Sequence, residues 1–183
     1  MAEFLTDIET IRARAREHIE QGPITESYGA DRKRVIDVLN EVLATELVCV
    51  LRYKRHYYTA TGLNSGPVAQ EFLEHAGEEQ EHADMVAHRI VQLGGEPDFS
   101  PEGLATRSHS EYDASLDLLA MVREDLVAER VAIASYQEIV RWLGEGDPTS
   151  RRVIETILET EEEHADDLLT ILQRMDHDGQ ETT

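Results

Sequence analysis

Apolar residues recur at spacings of three and four along four long stretches of this chain, the signature of helices that each bury one face. The first stretch runs from about Asp31 to Thr61, carries Val35, Leu39, Val42, Cys49 and Tyr53, and stops at Gly62. The second starts near Pro67, a residue favoured in a first helical turn. It carries Val68, Phe72, Ala76, Ala83, Val86, Ile90 and Leu93 and ends at Gly94-Gly95. The third runs from about Glu111 to Leu143 with Leu118, Val122, Leu126, Ile133, Tyr136 and Val140 on its stripe. The fourth begins after Asp147-Pro148, a capping residue followed by a first-turn proline. It carries Ile154, Ile157, Leu168, Leu172 and Met175 before fading into a polar tail. A shorter amphipathic segment over residues 4–20, with Phe4, Ile8, Ile11 and Ile19 near one face, precedes them and is cut off by the turn-rich stretch QGPITESYG.

No alternating strand pattern competes, so an all-α fold is predicted. Short linkers between the first and second helices, and between the third and fourth, make each pair an antiparallel hairpin. The connection GGEPDFSPEGLATRSHS between the hairpins is long enough to cross the whole bundle. The reading is a four-helix bundle of two hairpins and one long crossover. Its parts are an N-terminal extension at 1–30, the bundle at 31–176 and a polar tail at 177–183.

Each predicted helix interrupts its apolar stripe with a glutamate near its middle: Glu46, Glu79, Glu129 and Glu161. His82 and His164 each follow a glutamate by three residues, about 60° round the helix, so each pair can point into the same core. The two Glu-x-x-His segments, EEQEHAD and ETEEEHADD, are near copies. Mid-helix residues share one level whichever way the chain runs, so all four defects fall in one layer. Burying an ionised carboxylate unpaired costs several kcal/mol, and four together would exceed what a domain of about 5–15 kcal/mol total stability can absorb. Two divalent metals balance four glutamates, and two neutral histidines complete the donor set. Carboxylate with imidazole suits iron or manganese, and zinc is compatible. Around this layer, Asp125 is placed to orient a ligand histidine from across the core. Tyr53, two turns after Glu46, is placed to hydrogen-bond a ligand. His75, His88 and His109 read as surface or locally bonded residues.

Charge narrows the partners. A formal net charge of -21 repels nucleic acid and anionic membrane unless basic groups cluster. The one such cluster is Arg12, Arg14, Arg16, Arg32, Lys33 and Arg34, which leaves DNA binding disfavoured. The acidic excess reads chiefly as solvated surface and secondly as a cation-collecting one. A single cysteine, Cys49, allows no intrachain disulfide and no Cys-based metal motif. The N-terminal residues are acidic where a secretory leader would be apolar, and no run approaches the roughly 20 apolar residues of a membrane span. The expected setting is the cytoplasm, with no membrane partner.

The stretches NEVLATELVCVLRY, EEQEHADMVAHRIVQLGG, REDLVAERVAIASY and ILETEEEHADDLL resemble the bacterioferritin branch of the ferritin-like superfamily over roughly Asp31 to Met175. The resemblance implies a ferritin-like four-helix bundle and a ferroxidase site of two iron ions per subunit. Glu46 and Glu129 would be terminal carboxylates, Glu79 and Glu161 would bridge, and His82 and His164 would each bind one metal. It further implies oxidation of Fe(II) by O2 or H2O2 and iron storage in a hollow homo-oligomeric shell. Gln80 stands where the haem-binding members place a methionine, so no haem is expected. The short, polar sequence after His164 leaves no room for the fifth helix of the shells of twenty-four. With the N-terminal extension, this looks more like the Dps-like proteins with a bacterioferritin-type site, so a dodecamer is favoured over a 24-mer. Those proteins often carry a cysteine pair near the site, which Cys49 alone does not supply. A DNA-protecting Dps-type protein, and a non-storage di-metal peroxidase or catalase-like enzyme, would use the same residues and stay open at this point.

Overall fold

The computed structural model describes residues 6–62 and 65–181. Helix α1 spans Ile8–Glu17 and is followed by a 3-10 turn at Ile19–Gln21. The bundle consists of α2 (Arg32–Thr59), α3 (Ser65–Gln92), α5 (Leu118–Leu143) and α6 (Pro148–Glu181), with a one-turn helix α4 (Leu104–Arg107) inside the crossover. Among the described residues there is no strand, and no helix is long and apolar enough to cross a membrane.

Local chemistry sets the helix ends. The Asp31 carboxylate accepts the Arg34 N–H at 3.2 Å and caps α2. Asp147 accepts the Ser150 N–H at 2.9 Å ahead of Pro148 and starts α6. Such caps satisfy N–H groups that a first turn leaves without partners. At the end of α3, Gly94 takes φ 76°, and the Gly95 N–H bonds back to the Ile90 carbonyl at 2.9 Å. A Cβ on Gly95 would meet Ile36 Cγ2 at 2.8 Å, so the glycine pair both turns the chain and lets it lie against α2.

Helices α2 and α3 form one hairpin and α5 and α6 the other. The crossover runs along α2 and is fastened at intervals. Asn40 donates to the Glu96 carbonyl at 3.3 Å and accepts the Asp98 N–H at 2.8 Å. Thr45 accepts the His109 N–H at 2.9 Å, and Arg52 and Arg55 donate to the carbonyls of Glu111 and Ser115 at 3.0 and 2.9 Å. This fastening corrects the predicted start of the third helix. Residues 111–117 are extended strap held by α2, and α5 begins only at Leu118, where Asp117 accepts the Ala120 N–H at 2.9 Å. At the other end, α6 does not fade at Met175. No proline stops it, and it stays helical to Glu181.

Residue Phe4 of the predicted N-terminal stripe lies outside the described residues. Ile8, Ile11 and Ile19 of that stripe are exposed, so nothing among the described residues covers the face they make. The following residues do dock: Ile24, Tyr28 and Ala30 pack on the core, and the Tyr28 hydroxyl donates to Asp147 at 2.9 Å.

The core is divided. One apolar cluster gathers Val35, Leu39, Val42, Val86, Ile90, Ile154 and Ile157. The other gathers Cys49, Tyr53, Phe72, Ala76, Met121, Val122 and Leu168. The glutamates fall between them.

Candidate metal centre

The middles of all four long helices meet in one polar layer. Glu46 comes from α2, Glu79 and His82 from α3, Glu129 from α5, and Glu161 and His164 from α6. All six are buried, the glutamates at 1 % exposure or less. Their donor atoms fall into two groups of four within 4.8 Å of one another: Glu46, Glu79, His82 and Glu161, and Glu79, Glu129, Glu161 and His164. Glu79 and Glu161 belong to both groups, while one glutamate and one histidine are private to each. Nδ1 of each imidazole faces the carboxylates. In His82 it stands 3.2 Å from Glu161 and 3.4 Å from Glu46 and Glu79; in His164 it stands 3.5 Å from Glu79 and 3.7 Å from Glu161.

Whether these residues fit metal ions can be judged from the atoms left over. Buried polar atoms are normally hydrogen-bonded. Yet Glu46 Oε2, Glu79 Oε1, Glu129 Oε2, Glu161 Oε1 and His164 Nδ1 are all buried without a hydrogen-bond partner. Five orphaned donors in one layer, four of them on carboxylates, are what two bound cations would satisfy. Among the described residues these glutamates pair with no arginine or lysine; the ion pairs they make are with His82 and His164.

When no metal balances the charge, protons must. Burial, then the charges of Glu161 and Glu79, push the Glu46 and Glu129 carboxyls well up from the ordinary range. Burial opposes charge on His164 and His82 too, but the carboxylates that face their Nδ1 atoms at 3.2–3.7 Å prevail and raise both, His164 to about 11. Burial likewise disfavours charge on Glu79, but the facing imidazoles of His164 and His82, 3.5 and 3.4 Å away, outweigh it and hold that carboxyl low. Protons on Glu46, Glu129, His82 and His164 thus cancel the same charge that two divalent ions would.

Two tyrosines tie the halves together. The Tyr53 hydroxyl, from α2, donates to Glu129 Oε1 on α5; the Tyr136 hydroxyl, from α5, donates to Glu46 Oε1 on α2. The Tyr53 contact follows the sequence reading. Tyr136 reads in the sequence only as an apolar-stripe residue. Its position seven residues after Glu129, matching Tyr53 seven after Glu46, was the available signal. Glu78, also missed, meets His164 Nε2 at 2.7 Å, so a carboxylate orients the ring from its outer side.

Asp125 does not orient a ligand histidine. Its oxygens pair instead with Arg52 Nε at 2.8 Å and His56 Nδ1 at 2.9 Å, a separate buried cluster. His75 is not a surface residue: it is 2 % exposed and stacks on His164 with ring centroids 4.0 Å apart. His88 is exposed, and the His109 N–H bonds to Thr45. Cys49 is buried, and burial pushes its thiol well above the usual range, so it is an unreactive packing group here.

Residues 36–177 match the family described as Ferritin-like domain. The chain belongs to the ferritin-like family. Within it the bacterioferritin branch is the match. The bacterioferritin of Desulfovibrio desulfuricans is 31 % identical over 136 residues, covering 73 % of this chain and 72 % of the relative. A solved structure of a D. desulfuricans bacterioferritin, described with its diiron site in different catalytic states, superposes with a TM-score of 0.71 at 26 % identity over 80 % of this chain and 82 % of that one. A dodecameric thioferritin, the bacterioferritin-related protein of Bacteroides fragilis, superposes with a TM-score of 0.76 at 34 % identity, covering 82 % of this chain and 92 % of that one.

Proposed function

We propose that this ferritin-like chain is the subunit of an iron-storing ferroxidase that oxidises Fe(II) with O2 or H2O2 at the buried layer. The observation that carries the reading is the set of orphaned carboxylate and imidazole atoms on four different helices. In this reading Glu79 and Glu161 are shared between two iron ions, Glu46 with His82 holds one, and Glu129 with His164 holds the other. The irons supply one electron each, and two are needed because reduction of O2 to peroxide, or of peroxide to water, takes two. The protein's own residues fix the two ions at one spacing. Tyr53 and Tyr136 hold the terminal carboxylates in place, and Glu78 fixes the His164 ring. The protons that metal binding drives off Glu46, Glu129, His82 and His164 leave a site neutral overall when loaded.

A shell of twelve is the proposed assembly, supported by the dodecameric B. fragilis relative and by the uncovered isoleucine face of α1. Within the reading there is no haem, Gln80 being bonded instead to Asp84 at 3.2 Å. DNA is not a proposed partner, because Arg12 and Arg14 are matched by Glu9 and Glu26 of the same chain.

The test loads purified protein with Fe(II) in air and measures particle mass by light scattering alongside iron content. A particle of twelve chains that takes up hundreds of irons meets the proposal. A dimer that stops at about two irons per chain moves the function to a non-storage di-metal oxidase or peroxidase with the same two-metal donor set.

A further inference from the structure

His75 has no role in the layer just described, and its surroundings ask for one. The ring is 2 % exposed, packed between His164 at 4.0 Å and the edge of Tyr53 at 5.2 Å. Its Nδ1 is buried with no hydrogen-bond partner, and its Nε2 stands 3.5 Å from Glu71 Oε1. The nitrogen shown facing an acid is Nε2, and its 3.5 Å approach to Glu71 is too long for a good hydrogen bond, so its lone pair or proton is left for another partner.

Two carboxylates converge on the ring from two helices. Glu71 lies one turn before His75 on α3, and Asp167 lies one turn after His164 on α6. One donor atom from each of Glu71, His75 and Asp167 falls within 4.8 Å of the others. The acids are not spread apart as repelling surface charges would be. Burial and then the charge of Asp167 raise the Glu71 carboxyl. Asp167 is exposed and Glu71 half-buried, so the cluster opens to solvent while the imidazole closes its inner side.

The geometry points to a third cation site, in which Glu71, His75 and Asp167 bind one divalent first-row transition-metal ion. Two carboxylates and a neutral imidazole balance its charge. Three protein donors leave coordination positions for water, as in sites that exchange their ligands. The buried layer surrounds its ions with carboxylates shared between them; this site has none to share and faces solvent, so it binds more weakly and exchanges faster. It also sits one stacked ring away from His164. On the reading of the buried layer as a di-iron centre, the third site is a loading station that concentrates Fe(II) next to that centre. Ions move by ligand exchange alone, with no electron transferred at the station.

The test is an anaerobic Co(II) titration of the assembled protein, read by equilibrium dialysis and by the visible spectrum, on wild type, Asp167→Asn and Glu161→Ala. Wild type is expected to bind about three Co(II) per chain, two tightly and one more weakly. Loss of even an outer partner costs a metal site about 10–100-fold, so removing the charged donor Asp167 is expected to weaken the third ion by at least that and to leave the tight pair intact. Asp167 is exposed, so its substitution does not threaten the fold, whereas His75→Ala would hollow the packing against His164. Glu161→Ala is expected to lose the tight pair and keep the weak site. Wild type saturating at about two Co(II), or a third ion unaffected by Asp167→Asn, overturns the third site while leaving the di-metal reading standing. A tight pair that survives Glu161→Ala overturns the di-metal reading and with it the loading role. Stopped-flow oxidation separates loading from structure: Asp167→Asn should slow the reaction at limiting Fe(II) and not at saturating Fe(II), and equal slowing at both would overturn the loading role.

Discussion

Two groups of ionisable side chains are buried in this bundle within a few turns of each other, and they close in opposite ways. In the first, Asp125 places one oxygen on Arg52 and the other on His56, and Arg52 spends a further donor on the Glu111 carbonyl. The cluster carries its own cation: Arg52 Nε, Asp125 Oδ1 and His56 Nε2 are buried without aligned hydrogen bonds, but each faces an oppositely charged or polar group of the same chain at 2.8–3.5 Å. In the second, four glutamates and two histidines share one layer, and among the described residues no arginine or lysine pairs with any of those glutamates; five atoms of the layer have no hydrogen-bond partner. Both are equally dry, so burial alone does not mark a functional site. What differs is stoichiometry: one group sums to neutrality from within the chain, and the other reaches it only with cations or protons from outside.

The comparison is most easily broken at its acidic side. Glu161 is shared by both groups of donors, and Glu161→Ala is expected to slow Fe(II) oxidation by about a hundredfold or more, since a lost direct ligand should exceed the 10–100-fold cost of a lost outer partner. The check is the initial rate of ferric absorbance after mixing with aerated buffer, and rapid oxidation in the variant would place the chemistry elsewhere.

A paired substitution sharpens the contrast. Asp125→Ala strands Arg52 in the core and should cost about 3–5 kcal/mol of folding stability, the range for breaking a buried pair. Glu129→Gln should do the reverse. It copies the shape of a carboxyl whose charge is already suppressed, so chelator-treated protein should lose less than about 1 kcal/mol while metal binding is lost. Urea unfolding of both variants, with and without metal, compares them directly; equal destabilisation of the metal-free forms would erase the distinction.

The smallest expected effect is on pH dependence. His164 is raised from 6.5 to about 11 in the fold. Its contribution to the metal-free protein is therefore fully present below about pH 6.5 and is lost as pH rises through about 11. His82, Glu46 and Glu129 are raised as well and act with the same sign. Glu79 and Glu161 are lowered and act oppositely, but only in acid, below their ordinary range. The midpoint of thermal unfolding of chelator-treated protein should thus fall from neutral to alkaline pH. The metal-loaded midpoint should fall less, because the ions have displaced those protons. Parallel curves would mean that metal and protons do not compete for the layer.

The buried layer of glutamates and histidines was legible in the sequence because its signal is local. A glutamate in the middle of an apolar stripe is conspicuous on one helix, and mid-helix placement alone puts four such residues at one level. The missed partners needed information that one helix does not carry. Asp125 reads as core-directed, and it is, but which residue it meets depends on how far α2 and α5 are slid past each other; that offset delivers Arg52 and His56. Tyr136 reads as apolar because its ring is buried among apolar groups, and only its hydroxyl betrays the second role. His75 had a usable signal: it lies four residues before Glu79 and seven before His82, on the face that enters the core. The start of α5 failed for a different reason, since the carbonyls of Glu111 and Ser115 are taken by arginines of another helix, which no local preference could reveal.

The reciprocal tyrosines carry one more consequence. Each hairpin presents a glutamate on its first helix, a tyrosine seven residues later, and a Glu-x-x-His on its second helix: Glu46, Tyr53, Glu79 and His82, then Glu129, Tyr136, Glu161 and His164. Each tyrosine reaches the glutamate of the other hairpin. The six residues of the layer and their two tyrosine partners are therefore one motif written twice and folded against itself. A homodimer of a single such hairpin, with no crossover at all, would contain every group the centre uses, so the chemistry needs only half of the chain's information and the strap along α2 serves to keep the two halves in one molecule.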